Sequence, residues 1–113
     1  MGDTRFDPAG NDGVMADVEV RNNESENRYE AYVDGELAGF AAYEVDDRRI
    51  GFTHTEVADA FEGMGVGSAL ARGALDDVRA NGNRRVVPRC PFIRSWIERH
   101  PDYQDLVQGA RQD

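Results

Sequence analysis

Glycines occupy alternate positions at Gly63, Gly65 and Gly67, directly after a predicted strand and before a predicted helix. A glycine-rich turn into a helix exposes main-chain N–H groups at the positive end of the helix dipole, which suits an anion such as a diphosphate. The spacing GxGxG differs from the GxGxxG of dinucleotide-binding folds, and a P-loop needs a lysine that the sequence lacks. On its own, the pattern is equally compatible with a tight turn that binds nothing.

Cys90 is the only cysteine, which excludes an intramolecular disulfide and any zinc site with two thiolates. We therefore predict no metal site. A thiol can act as a nucleophile or, because most free thiols are protonated at neutral pH, as a proton donor. Nearby positive charge would favour the thiolate, and four arginines are close in sequence: Arg84, Arg85, Arg89 and Arg94. The alternative is a buried structural cysteine.

His54 and Glu56 lie two residues apart in a predicted strand, so their side chains should share one face. A carboxylate next to an imidazole can accept a proton from a substrate. The alternative is that both are ordinary surface residues of the strand. Trp96 and Tyr103 fit core packing, although Trp96 could line a substrate cleft and Tyr103 could donate a proton.

Alternating apolar residues predict strands at 14–21, 28–33, 37–45 and 50–57, with a hairpin turn at Asp34-Gly35. The period then changes to that of a helix starting near Val66 and ending at Asn81-Gly82. A short strand at 85–88, a helix at 92–100 and a last short helix around 103–107 follow. This order predicts an α+β fold in which the strands 50–57 and 85–88 are parallel because a helix connects them.

The sequence has 113 residues, so we expect one domain at 14–108 between flexible tails at 1–13 and 109–113. Acidic residues number 22 against 13 basic residues, giving a net charge of −9, and every basic residue is arginine. Without lysine, Schiff-base and pyridoxal phosphate chemistry are excluded. The negative charge argues against nucleic acid as a partner, and no apolar run is long enough to predict a membrane span.

The acidic, lysine-free composition favours a protein that works in molar salt, where charge repulsion is screened within about 3 Å. A GC-rich genome that replaces lysine by arginine is the simpler alternative. We expect a cytoplasmic protein that is a monomer or a weak dimer.

Residues 53–57 (THTEV) and 62–70 (EGMGVGSAL) resemble the acyl-CoA motif of the GNAT superfamily of N-acetyltransferases, whose general form is Arg/Gln-x-x-Gly-x-Gly/Ala. Residues 86–93 (VVPRCPFI) and 99–103 (RHPDY) look like two further blocks of the small, single-domain "minimal" GNAT proteins, and the four blocks occur in the same order. The resemblance covers about residues 14–107.

The resemblance implies a GNAT-like mixed sheet that splays between its fourth and fifth strands, with acetyl-CoA as co-substrate in the opening. It implies transfer of the acetyl group to an amine, with Cys90 facing the thioester and the main chain of Glu56 and Val57 binding the pantetheine and acyl oxygen. The implied cofactor-binding residues are Val57, Glu62, Gly63, Met64, Gly65, Val66, Gly67 and Ser68.

One position departs from the family pattern. Glu62 stands where Arg or Gln is usual, and its carboxylate would repel a diphosphate most strongly at low ionic strength. An alternative function is therefore a CoA-binding or protein-interaction module without turnover. For an enzyme, the acceptor would be a small amine or an exposed protein amine, because the short segment between 14–21 and 28–33 leaves an open, shallow face.

Overall fold

The computed structural model describes residues 17–107. The predicted tails and the start of the first predicted strand at Val14 lie outside the described residues. Within that range the chain forms one five-stranded sheet, in the order β1 to β5, with helices on one face. The strands are β1 (Glu19–Asn23), β2 (Arg28–Val33), β3 (Glu36–Val45), β4 (Arg49–Val57) and β5 (Arg85–Pro88).

The helices are α1 (Val66–Asn81) and α2 (Pro91–Glu98), with 3₁₀ segments at Asp59–Phe61 and Pro101–Leu106. β1 to β4 are antiparallel neighbours, and β5 is parallel to β4. The predicted α+β mixed sheet, with four antiparallel strands, a helix, a parallel fifth strand and a C-terminal helix, is confirmed. Within residues 17–107, no helix is both long and apolar enough to cross a membrane.

Several element boundaries differ from prediction, and Asp17 and Val18, predicted as strand, precede β1. Two of the differences have a physical reason. β1 continues through Asn22 and Asn23, which were predicted to lie in a turn. The side-chain amide oxygen of Asn22 accepts a 2.6 Å hydrogen bond from the Tyr43 hydroxyl, and the side-chain amide nitrogen of Asn23 donates one of 3.0 Å to the Glu30 carboxylate. At the other end of the chain, α2 stops at Glu98 rather than His100, since Pro101 begins a 3₁₀ segment.

Glycines bound α1 at both ends, with Gly65 as the N-cap and Gly82 as the C-cap. Gly82 adopts a left-handed conformation (φ 77°) and donates its N–H to Val78, as a helix-terminating glycine does. Between these ends, the buried residues of α1 pack on the sheet, and Phe52 and Trp96 are the largest fully buried side chains of the core.

The helices cover only one face of the sheet. Tyr29 points to that face, since its hydroxyl donates a 2.7 Å hydrogen bond to Asp77 of α1. Strand alternation places the neighbouring Arg28 and Glu30 on the other side. Cross-strand pairing extends this second surface to Arg21, Phe40 and Glu56. We call it the open face, because no element within 17–107 packs over it.

Glu30 is the buried charged residue of the open face, with 5% of its surface exposed. Its carboxylate accepts hydrogen bonds from the Tyr32 hydroxyl (2.6 Å), the Asn23 amide (3.0 Å) and Arg28 Nε (2.8 Å). These bonds stabilise the ionised form and hold the pKa of Glu30 down at about 2. The bond from Asn23 ties β1 to β2 on the open face, while the bonds from Arg28 and Tyr32 are made within β2.

Replacing Glu30 by Gln should lower stability in a pH-dependent way. Because the folded pKa is below the ordinary value of 4.5, the stabilisation is present above that value and is lost as pH falls towards 2. We expect urea unfolding at pH 7 to show a loss of about 1–3 kcal/mol. The difference from wild type should shrink between these two pH values. Glu36→Gln, at an exposed site, is the control. A pH-independent difference would contradict the assignment.

Candidate active site between β4 and β5

The glycine-rich loop opens α1 with main-chain donors left free. Gly63 and Gly65 have φ values of 84° and 83°, a left-handed conformation that favours glycine. Gly65 caps α1 without a side-chain bond, and the first helical hydrogen bond runs from Ala69 N–H to Gly65. The N–H groups of residues 66–68 therefore have no partner in the part of the chain that the structure describes.

One predicted anion-binding amide is already used. The N–H of Met64 donates a 3.3 Å hydrogen bond to the carbonyl of Phe61, so it turns back to the preceding 3₁₀ segment. In this conformation the Met64 N–H is occupied, and its binding of a ligand stays a prediction. The remaining free donors are concentrated in the first turn of α1, where the helix dipole favours an anion.

β4 and β5 part beside this loop. Their last pair is Phe52 with Pro88, whereas β4 continues to Val57. The carbonyl of Glu56 faces β3, since a Cβ on Gly39 would lie 2.5 Å from it. Peptide groups alternate along a strand, so the main chain of Thr55 and Val57 faces the gap instead. Val57 thus remains a candidate for binding an extended ligand, while the same expectation for the Glu56 main chain is wrong.

Cys90 lies at the inner end of this gap. It precedes α2 directly, is 3% exposed, and its N–H donates a 2.8 Å hydrogen bond to Phe52 of β4. The thiol lies 3.3 Å from the Thr55 hydroxyl, to which it can donate. Thr55 is a site residue that sequence reasoning missed. The only signal was its alternation with His54 and Glu56, which puts it on the helix-covered face.

The arginines that were expected to influence Cys90 mostly have other partners. Arg84 donates to the carbonyl of Asp46, Arg85 to that of Asp105, and Arg89 to the carboxylate of Glu44. Positive charge near the thiol was expected to favour the thiolate, and in the structure these three guanidinium groups bond to acceptors in other segments. The contact that the structure gives Cys90 is a neutral hydroxyl.

His54 and Glu56 come together but lie apart from the thiol. Nε2 of His54 is 3.7 Å from Oε2 of Glu56, and both side chains are exposed on the open face. Thr55 and Cys90 are on the opposite side of β4. The three predicted catalytic residues thus form two groups, separated by the thickness of one strand. The exposed pair can exchange protons with a molecule on the open face, whereas Cys90 can do so only inside the gap.

Two side-chain contacts connect α2 to the first turn of α1. The indole N–H of the fully buried Trp96 donates a 3.0 Å hydrogen bond to the Ser68 hydroxyl, and the Phe92 ring packs on Gly67, where a Cβ would approach it to 2.9 Å. Trp96 is therefore a core residue that positions the helix start. Its other face stacks on His100 at 3.7 Å.

Tyr103 also belongs to the core rather than to the gap. Its hydroxyl donates to Asp76 at 2.8 Å, and burial together with this carboxylate raises the pKa of Tyr103 above its usual value. That shift weakens Tyr103 as an acid, which fits a packing role.

Two carboxylates precede the free helix start. Glu62 is exposed at the beginning of the loop, and Asp59 opens the preceding 3₁₀ segment. Within residues 17–107, no group of three or more His, Cys, Asp or Glu side chains could hold a metal ion. The main-chain N–H groups of the first turn of α1 supply positive potential for an anion here.

A family model described as GCN5-related N-acetyl-transferase matches residues 28–106. The chain belongs to this family. Its match spans the sheet from β2 onwards, both helices and the gap between β4 and β5. Comparison with curated proteins finds no match. GNAT family membership supports acyl transfer as the general chemistry of the site.

Proposed function

We propose that this GNAT protein transfers an acetyl group from acetyl-CoA to an amine. One observation carries the proposal: among residues 17–107, the gap where β4 extends beyond β5 is bordered by free N–H groups of α1, by the main chain of Val57 and by the Cys90 thiol. These groups suit, respectively, a diphosphate, an extended amide chain and a thioester. Acetyl-CoA, when bound, supplies the activated acetyl group.

In the proposed fit, the N–H groups of Val66, Gly67 and Ser68 bind the diphosphate. Ser68 uses its hydroxyl to hold Trp96, so its main chain is the part available to the ligand. The main chain of Val57 pairs with the pantetheine as a missing strand would. Gly63 and Gly65 allow close approach, because neither presents a Cβ.

For the chemistry, we propose direct transfer. The neutral amine nitrogen attacks the thioester carbonyl carbon and forms the C–N bond, the C–S bond breaks, the nitrogen loses a proton to solvent water, and the departing thiolate gains one. We propose that Cys90 gives that last proton, because its thiol contacts Thr55 beyond the last pair of β4 and β5, and that it is then reprotonated from solvent. An acetyl-cysteine route would need a base at the thiol. His54 and Glu56 do not reach the thiol, because both lie on the open face, on the other side of β4.

Cys90→Ala should lower kcat by roughly 100-fold or more, the usual effect of losing a positioned proton donor, while leaving the Kd for acetyl-CoA nearly unchanged. Turnover is measured as CoA-thiol release, and Kd from thermal stabilisation in molar KCl. Cys90→Ser is the matched control for packing and should bind equally well. Intact mass after acetyl-CoA treatment should show no protein adduct. An acetyl adduct lost in Cys90→Ala would instead establish the covalent route.

A second candidate function is a CoA-binding module without turnover, and Glu62 is the residue that favours it. In this case acetyl-CoA would stabilise the protein, but no amine in a panel would release CoA. Failure of millimolar acetyl-CoA to stabilise the protein would count against both functions.

Glu62→Arg should tighten acetyl-CoA binding by about three- to ten-fold at low ionic strength, because a repulsive charge near the diphosphate becomes attractive. In molar KCl the gain should nearly vanish. Glu26→Arg changes the net charge equally but lies in the turn between β1 and β2, so it controls for general electrostatics. Equal effects of the two substitutions, or no effect of the first, would remove this account of Glu62.

A further inference from the structure

A groove lies on the open face where β3 and β4 meet the 3₁₀ segment at Asp59–Phe61. It encloses about 370 Å³ and is lined by parts of β3 and by residues 56–59. We call it the acidic groove. It shares Val57 with the gap between β4 and β5, so a ligand in the groove lies beside the place proposed for the thioester.

Part of the surface of the groove is apolar. Leu37 is 43% exposed, and Phe40 and Val57 are partly exposed. Arg28 lies over Phe40, at 4.7 Å from the ring centroid, but its Nε is held by Glu30. An apolar part of a ligand could therefore pack against Leu37 and the free portion of Phe40.

The lining residues of the groove carry only negative charge, while the guanidinium of Arg28 lies over the Phe40 ring and is paired with Glu30. Two of its lining residues, Glu56 and Asp59, carry carboxylates, and none is basic. The carboxylate of Glu56 is 62% exposed and has His54 at 3.7 Å as its partner. Within 17–107, no residue bonds the side chain of Asp59. The net charge of −9 adds a long-range attraction for cations at low salt.

We propose that the acidic groove binds the acceptor as a primary ammonium ion attached to an apolar group, an inference that rests on the proposed acetyltransferase function. The ammonium lies between Glu56 and Asp59, and its apolar part covers Leu37 and Phe40. Before transfer, the ammonium gives one proton to the pair of Glu56 and His54 and becomes the neutral amine that attacks. Amines that carry a carboxylate, such as free amino acids, are rejected by charge.

Direct binding tests the groove without acyl transfer. Uniformly ¹⁵N-labelled protein is titrated with 2-phenylethylamine, 2-phenylethanol and phenylacetate, which share a ring but differ in charge. We expect amide shifts confined to residues 37–40 and 56–59, with the amine binding at least about five-fold more tightly than the alcohol and the acid not binding. Equal binding of the three probes, shifts elsewhere or no shifts would overturn the proposal.

Asp59→Asn tests the specificity. It should weaken 2-phenylethylamine binding by about three- to ten-fold at low salt, and in turnover it should raise KM for this amine with little change in kcat. Asp47→Asn, an exposed carboxylate in the turn between β3 and β4, is the matched control and should change neither. Identical behaviour of the two variants would overturn the proposal.

The two proposals fail separately. If acetyl-CoA neither stabilises the protein nor supports turnover, but the amine still shifts the groove and Asp59→Asn weakens it, the cation site stands and the proposed activity falls. If acetyl-CoA is used with amines irrespective of their charge, the activity stands and the acidic groove is not the acceptor site.

Discussion

The separation of β4 from β5 is the constraint on which the other features of the site depend. Parallel pairing stops at Phe52 and Pro88, and the next contact between the two segments is the hydrogen bond from the Cys90 N–H to Phe52. Pro88 and Pro91 limit further strand formation, because proline has no N–H for a ladder. α2 then starts at once and is held to α1 by Trp96 and Ser68. The free edge of β4 is thereby kept open next to the free N–H groups of α1.

The candidate site residues lie on two different sides of the sheet. On its helix-covered side lie the thiol and the helix start, and on its open face lie His54, Glu56 and the acidic groove. An acceptor on the open face would reach a thioester in the gap around the edge of β4 at Val57. In this arrangement Cys90 is buried on the helix-covered side, while His54 and Glu56 are accessible on the open face. The arrangement also explains why the two groups of candidate residues need not touch one another.

Local sequence patterns predict most of the fold, since alternation and turn residues act over a few positions. The left-handed Asp34 and Gly35 make the predicted hairpin, and Gly82 ends α1 where its position suggests. The errors involve partners distant in sequence. Thr55 meets Cys90 across 35 positions, and the arginines near Cys90 turn to other segments. A β-bulge is a further feature that the sequence pattern does not reveal. Ala42 pairs with His54 but Tyr43 pairs with Phe52, so Phe52 and His54 face opposite sides of the sheet although they are two residues apart.

The most direct test of the account is to observe the amides themselves. Titrating ¹⁵N-labelled protein with acetyl-CoA should shift the N–H signals of residues 66–68 and of Val57. The acetyl thioester of N-acetylcysteamine, which lacks the diphosphate, should leave residues 66–68 unchanged. Saturating acetyl-CoA that shifts none of these signals, or equal shifts with both thioesters, would contradict the claim that the helix start binds a diphosphate in the gap between β4 and β5.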